Sequence, residues 1–150
     1  MRDLAEALKA GDLVLDGGWL RVSLGDERPC GLIVATDVLG GVFALRDNRI
    51  HYFAPDTLEW EDLEFDLETW LAWLGSGSLD GFYHDLRWPG WEQEVAALEP
   101  GQGIAVYPFL WSEEAQQDLA ATARRPVPLT ELRTLNTESC QQMDLPDPGF

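Results

Sequence analysis

The sequence predicts an α+β fold, in which an antiparallel sheet of about four to six strands carries helices packed on one side. Strand patterns dominate the chain up to residue 55, and helix patterns dominate the rest. Short turns join the strands, which favours antiparallel pairing. The 150 residues are 45% hydrophobic and 11% aromatic, enough to bury one core. We therefore expect residues 1–150 to form a single domain.

The first elements follow from changes in hydrophobic spacing. They are a helix at 2–10, two short strands around the turn at 16–18, and strands at 30–37, 42–46 and 49–55. The run CGLIVATD is almost continuously apolar, which indicates a buried central strand. Gly40 and Gly41 predict the turn after it, and Asp47-Asn48 predicts the next tight connection.

Residues 56–68 hold seven acidic side chains, and Leu63, Phe65 and Leu67 alternate with them. Such alternation is typical of a strand with one solvated face, and charges on an edge strand discourage aggregation. We interpret the segment as a solvated edge strand. The alternative interpretation is a docking strip for a basic partner.

Capping residues and helical spacing define most of the second half of the chain. The predicted elements are a helix capped by Asp66, a helix beginning near Ser78, a helix at 91–98, a strand at 101–109, a helix beginning at Ser112, a linker at 124–128, a helix over LTELRTLNTESCQQM, and a loose tail. Strands followed by helices are the order typical of an α+β domain.

The charge balance bears directly on partners. The chain has 27 acidic against 10 basic residues, a net charge of −17 at pH 7. Such a surface repels phosphate backbones, so we expect no nucleic-acid binding. It attracts a basic protein and speeds the encounter with it. The alternative is that the charge serves only solubility.

The location and the cysteines follow from simple patterns. No run of 18 apolar residues is present, which predicts no membrane span, and the charged N-terminus lacks the apolar region of a secretory signal. We therefore expect a cytoplasmic protein. Cys30 and Cys140 are far apart in sequence, and we expect both to be free thiols that pack as small hydrophobic residues.

Metal and cofactor motifs are missing from the sequence. The zinc patterns HExxH, CxxC and HxH do not occur, and the acidic stretch 56–68 lacks the glycine of a calcium loop. The Gly101-Gln102-Gly103 segment is too short for a phosphate loop. We expect no metal and no cofactor.

The two histidines leave one enzymatic alternative. His84 and Asp85 are neighbours on a predicted helix, so their side chains diverge by about 100° and cannot act as a base with its carboxylate. Catalytic triads are defined by geometry and not by sequence order. A small hydrolase that uses Cys30 or Cys140 with His51 or His84, or a pair of carboxylates, therefore remains the alternative to a binding protein.

The stretch FYHDLRWPGWEQEV forms a corner between two helices, because Pro89 and Gly90 interrupt the helical pattern. We interpret Trp88 and Trp91 as packing residues at this corner. The alternative is an exposed aromatic patch for a partner or a homodimer, in which Arg87 stacks between the rings.

These features combine into one candidate binding site on the open side of the sheet. Its predicted residues are Asp37, Gly40, Gly41, Asp56, Trp60, Arg87, Trp88 and Trp91. We expect no catalytic residue among them. The predicted role is non-enzymatic binding of a basic protein.

Several motifs resemble known families. GLIVATDVLGGVFAL and YFAPDTLEWEDLEFDLETWLAWL resemble the central signature of the SUKH superfamily. YFAPDTLEWEDL, FYHDLRWPGWEQEV, YPFLWSEE and RRPVPLTEL resemble a bacterial family of unknown function that carries these motifs in this order. The SUKH resemblance implies an α+β domain that binds and neutralises a toxin partner, as an immunity protein does, and brings no catalytic residue. The second family carries a longer segment before DGGWLRV, so we expect this chain to be a shortened version.

Overall fold

The computed structural model describes residues 13–150, which form an α+β fold built on an antiparallel sheet. The predicted fold class is confirmed. The helix predicted at 2–10 lies outside the described residues. Within residues 13–150, no helix has both the length and the apolar character that crossing a bilayer requires.

Nine strands and five α-helices make up the described part. The strands are β1 (Leu13–Leu15), β2 (Leu20–Val22), β3 (Glu27–Arg28), β4 (Gly31–Asp37), β5 (Val42–Arg46), β6 (Arg49–Ala54), β7 (Glu59–Phe65), β8 (Gln102–Tyr107) and β9 (Ala123–Pro128). The helices are α1 (Leu67–Leu74), α2 (Leu79–Phe82), α3 (Trp91–Ala96), α4 (Glu113–Gln117) and α5 (Leu129–Gln142). Short 3₁₀ turns lie at Asp16–Gly18, His84–Leu86 and Leu119–Ala121.

The main sheet has the strand order β1-β2-β4-β5-β6-β7, and β3 pairs with β4 beside this path. Asp47 and Asn48 both have positive φ and connect β5 to β6 in two residues, as predicted. Strand β7 pairs only with β6 among the described strands, so it forms an edge. Its acidic residues are exposed, which confirms the solvated edge strand.

The two faces of the sheet carry different cores. Phe43 and Tyr52 belong to the larger core, to which α1, α2 and α3 contribute. Val42 and Phe53 point the other way, because side chains alternate along a strand, and they pack in a smaller core with Cys140 of α5. The helices therefore divide between the two faces, where the sequence predicted one side. Both cysteines are buried free thiols, as predicted.

Two predicted helix starts are confirmed. The Asp66 side chain accepts a hydrogen bond from the Thr69 N–H at 2.7 Å, and the Ser112 side chain accepts one from the Ala115 N–H at 3.3 Å. These caps satisfy backbone donors that the first turn of a helix leaves free.

The linker predicted at 124–128 is wrong, because these residues belong to β9. Strand β9 pairs with β8 over its whole length, from Gln102 opposite Pro128 to Tyr107 opposite Ala123. Its two prolines suggested a linker, but proline is tolerated on an edge strand, where the missing N–H breaks no ladder. The resulting two-stranded sheet is separate from the main sheet.

The predicted loose tail is also wrong. The Trp60 indole Nε1–H donates to the Pro148 carbonyl at 3.0 Å. The Phe150 ring packs edge-on against Phe53 at 5.1 Å between centroids. The C-terminal residues thus cover the smaller core, a contact that no local pattern in the sequence indicates.

Candidate functional site

A buried carboxylate lies at the end of β4. Asp37 is 1% exposed. Its Oδ1 accepts hydrogen bonds from the backbone N–H groups of Leu39 and Gly41 at 3.0 and 2.7 Å. Its Oδ2 accepts from the hydroxyls of Tyr52 and Tyr83 at 2.6 and 3.0 Å. Burial raises the pKa of Asp37, and the hydrogen bonds oppose this shift. Asp37 therefore ties the β4–β5 turn to β6 and to the helical layer.

The two glycines of this turn meet different structural requirements. Gly40 has φ +88°, which confirms that a glycine at this turn takes a positive φ. A Cβ at Gly41 would overlap the Asp37 carboxylate and the Tyr52 hydroxyl. Both positions thus serve the turn geometry.

We expect Gly41→Ala to lower the free energy of unfolding by about 1–3 kcal/mol, the usual cost of overpacking a buried site. Gly81→Ala is the matched control, because a Cβ there meets no atom within 4 Å. Urea denaturation of both variants measures the difference. Equal stability of the two variants would show that the turn can shift without cost.

The helix corner encloses a cation. The Arg87 guanidinium lies over the rings of Trp19 and Trp91, at 4.7 and 4.3 Å from their centroids. It also forms ion pairs with Asp16 and Asp80, and only 7% of the Arg87 side chain is exposed. The cation–π stacking of the alternative interpretation does occur, but Arg87 is enclosed and not part of an exposed patch, and Trp19 takes the place expected for Trp88.

Trp88 lies in the core beside this corner and is 1% exposed. Its indole Nε1–H donates to Glu94 Oε2 at 2.5 Å, and the Arg124 guanidinium lies 4.7 Å from its ring centroid. Arg124 in turn pairs with Glu94 at 2.9 Å. The interpretation of Trp88 as a packing residue is therefore confirmed.

A cleft of about 410 Å³ lies between the β6–β7 edge and the segment that follows α2. Four acidic residues line it: Asp56 before β7, Glu59 and Glu61 on β7, and Asp85 in the 3₁₀ turn. Glu59 and Glu61 are two positions apart on a strand, so they share a face, and Glu61 lies opposite Tyr52 in the ladder. We call this site the acidic cleft.

The carboxylates of the acidic cleft are not neutralised by any residue that the structure describes. Within residues 13–150, none of the four has an ion-pair partner. Burial raises the pKa of Asp56, and the nearby Asp85 carboxylate raises it further. Phe82 and Leu86 add apolar surface to the lining. The acidic cleft thus favours a ligand that brings a positive charge and an apolar stem.

Comparison with known proteins now identifies the family. A family model described as "Protein of unknown function DUF2625" matches residues 23–132. The chain belongs to the DUF2625 family. The matched residues include Asp37 and all four carboxylates of the acidic cleft.

Two relatives of this DUF2625 chain are uncharacterized proteins. YbfG of Escherichia coli (strain K12) is 36% identical, over 82% of this chain and 66% of the relative. A protein of Haemophilus influenzae (strain ATCC 51907 / DSM 11121 / KW20 / Rd) is 29% identical, over 68% of this chain and 57% of the relative. The chain thus spans less than two thirds of the length of these relatives. No solved structure matches it significantly.

The structure does not bring the eight predicted site residues of the DUF2625 chain into one cleft. The prediction is wrong for five of them, because they are buried and cannot meet a partner. These five are Asp37, Gly40, Gly41, Arg87 and Trp88. Trp91 stacks on Arg87. Asp56 and Trp60 line the acidic cleft, but the Trp60 ring packs against Phe53 and Phe150.

The sequence prediction omitted Glu59, Glu61 and Asp85 from the site. The spacing of Glu59 and Glu61 could have placed both on one face of the edge strand. Asp85 comes from a distant part of the chain, and no local pattern indicates that it lies near Asp56.

The geometry of the thiols and imidazoles bears on the hydrolase alternative. His51 Nε2 lies 3.9 Å from Asp62 Oδ2, and His84 is exposed. In the described part of the chain, no hydrogen bond joins an imidazole to a thiol or a carboxylate. Burial raises the pKa of Cys30 and of Cys140, which disfavours the nucleophilic thiolate. No group of three or more His, Cys, Asp or Glu residues within 13–150 has a metal-binding arrangement.

Proposed function

We propose that this DUF2625 chain is a non-enzymatic binding domain that recognises a basic segment of a partner protein through the acidic cleft. The observation that carries the proposal is the set of four carboxylates around one concave site, none of which has a cationic partner among residues 13–150. Asp56 is partly buried, so its charge is costly without a partner, and a cation from outside the chain stabilises it together with the exposed carboxylates around it.

The cleft suits an arginine or lysine side chain. Its positive head pairs with Asp56 and Asp85, whose negative charges repel each other when no cation is bound. Its methylene stem lies along Phe82, which is half-buried at the lining. Because Asp56 is partly buried, its pair with such a cation is worth more than an ion pair on an open surface.

The charge of the whole chain acts at longer range. A net charge of −17 attracts a basic protein and raises the rate of encounter, whereas the acidic cleft determines where the partner docks. The same charge disfavours a nucleic acid as the partner.

The resemblance to the SUKH superfamily suggests the biological role. By that resemblance, the partner is a basic toxin that the domain neutralises in the cytoplasm. The motif residues Asp37, Gly40 and Gly41 form the buried turn, so their part in this role is to hold the fold. Docking itself is assigned to the acidic cleft.

Affinity capture from an extract of the source cells tests the proposal. Wild-type chain is expected to retain a basic protein that is released as salt rises from about 0.05 M to about 0.5 M, because screening weakens exposed charge pairs. The variant Asp56→Asn/Asp85→Asn is expected to lose this protein.

The variant Glu27→Gln/Glu92→Gln is the control, because it also removes two negative charges, but from exposed positions outside the cleft. It should retain the partner. Equal capture by the two variants, or capture that ignores salt, would contradict docking at the acidic cleft.

A further inference from the structure

The β8–β9 sheet and α5 enclose a larger groove that the proposed function does not use. It has a volume of about 720 Å³, against about 410 Å³ for the acidic cleft. Its apolar lining comes mainly from Ala105, Phe109, Val127, Leu132 and Leu135. We call it the C-terminal groove. Small-molecule sites are typically apolar concavities of about 300–1,000 Å³ with a few polar groups.

Close packing at one end and small side chains in the middle give the groove its shape. A Cβ at Gly103 would overlap the Val38 carbonyl and the Leu132 side chain, so α5 packs tightly against β8 there. Farther along the strands, Ala105 lies in the lining, where its short side chain leaves space. Tyr107 at the far end is 65% exposed.

Two arginines, Arg124 and Arg125, line this apolar space. Arg125 lies directly opposite Ala105 in the β8–β9 ladder, lines the groove and is exposed. Among the described residues it has no ion-pair partner. Its neighbour Arg124 is already paired with Glu94. A guanidinium with no ion-pair partner in residues 13–150 is notable in a chain with 27 acidic and only 10 basic residues.

Two carboxylates limit the charge of a ligand. Glu131 and Glu138 of α5 line the opposite wall, and both are exposed. They disfavour a second negative group, so a ligand with one anionic head beside Arg125 and an uncharged body fits this distribution best.

We propose that the C-terminal groove binds a small amphipathic monocarboxylate. The apolar body lies along Ala105, Val127 and Leu135, and the carboxylate pairs with the guanidinium of Arg125, whose planar donors match it bidentately. This site is independent of the acidic cleft.

Calorimetric titration with octanoate and octanamide tests the proposal, because the two probes share a chain and differ in charge. Octanoate is expected to bind about tenfold more tightly, because only its carboxylate forms a charge-assisted pair with Arg125. Arg125→Gln is expected to abolish this difference, and Asp56→Asn/Asp85→Asn is expected to leave it unchanged. Absent octanoate binding, or equal binding of both probes to wild type, would overturn the proposal.

Filling the groove tests its location. Ala105→Phe, or Thr134→Phe if that variant does not fold, is expected to abolish octanoate binding. Ala72→Phe adds the same ring at an exposed position of α1 and should bind normally. Full affinity in a folded groove variant would overturn the assignment. So would a wild-type dimer that Tyr107→Glu dissociates, because a second copy would then cover the groove.

Discussion

Asp37→Ala is expected to lower the free energy of unfolding by roughly 3–5 kcal/mol. The substitution leaves four donors without their acceptor, namely two backbone N–H groups and the hydroxyls of Tyr52 and Tyr83. Each buried donor without a partner costs about 1–3 kcal/mol, and partial relaxation reduces the sum. Urea denaturation followed by circular dichroism measures the loss.

Asp37→Asn is the matched control, since it keeps the volume and one carbonyl oxygen that can accept the two backbone hydrogen bonds. We expect it to cost roughly half as much as Asp37→Ala, because only the tyrosine contacts must rearrange. If Asp37→Ala lost less than about 1 kcal/mol, the carboxylate would not be the tie that holds the turn to the helical layer.

The buried carboxylate also predicts a pH dependence. Burial raises the pKa of Asp37 in the folded chain above its unfolded value, so the folded state holds this proton at a higher pH. Its contribution to stability therefore falls as pH rises from the ordinary carboxyl range through the raised pKa. Wild type should lose stability over this range relative to Asp37→Asn. An unchanged difference between the two would contradict the raised pKa.

Trp88→Ala is expected to cost roughly 3–5 kcal/mol of unfolding free energy, the usual range for deleting a large buried ring. Trp88 is 1% exposed, and its loss also removes the indole donor to Glu94 and the surface on which Arg124 stacks. The variant His84→Ala, four residues earlier, is the control. His84 is exposed, so its removal should change stability by less than about 0.5 kcal/mol.

Thermal and urea denaturation of the two variants test this contrast. Equal destabilisation would mean that the corner tolerates a cavity or that His84 has a structural contact of comparable value. The expected order instead assigns the corner to packing, with Arg87 enclosed between rings and not offered to a partner.

Local chemistry made part of this fold predictable from the sequence. The caps at Asp66 and Ser112 and the turn at Asp47-Asn48 depend on residues a few positions apart. The edge strand β7 follows from alternating charge. Each of these features is determined within one element or one turn.

Tertiary contacts account for what the sequence could not predict. The prolines of β9 argued against a strand, but pairing with β8 outweighs that local preference. The tail appeared loose because Phe150 gains its contact with Phe53 only in the folded chain. Long-range contacts of this kind produce no periodic pattern of hydrophobic residues in the sequence.

The prediction of the candidate site was wrong for a related reason. An aspartate followed by glycines is typical of an exposed loop, yet Asp37 is buried by Tyr52 and Tyr83 from distant parts of the chain. The acidic stretch was recognised, but its partner Asp85 was not, because their proximity depends on how the α2 segment packs against the sheet. Only Asp56 combines a predicted role with a carboxylate in the acidic cleft.

Docking at the acidic cleft is best tested by locating a bound cation on the protein, since a chain of net charge −17 attracts a polycation at many points. Titration of ¹⁵N-labelled protein with an acetylated tetra-arginine peptide, followed by NMR, gives the answer for each amide. We expect the amides of Asp56, Glu61 and Asp85 to shift first and to saturate together. Asp56→Asn/Asp85→Asn should abolish this response, and Glu27→Gln/Glu92→Gln should preserve it. Small shifts spread evenly over the acidic surface would contradict it.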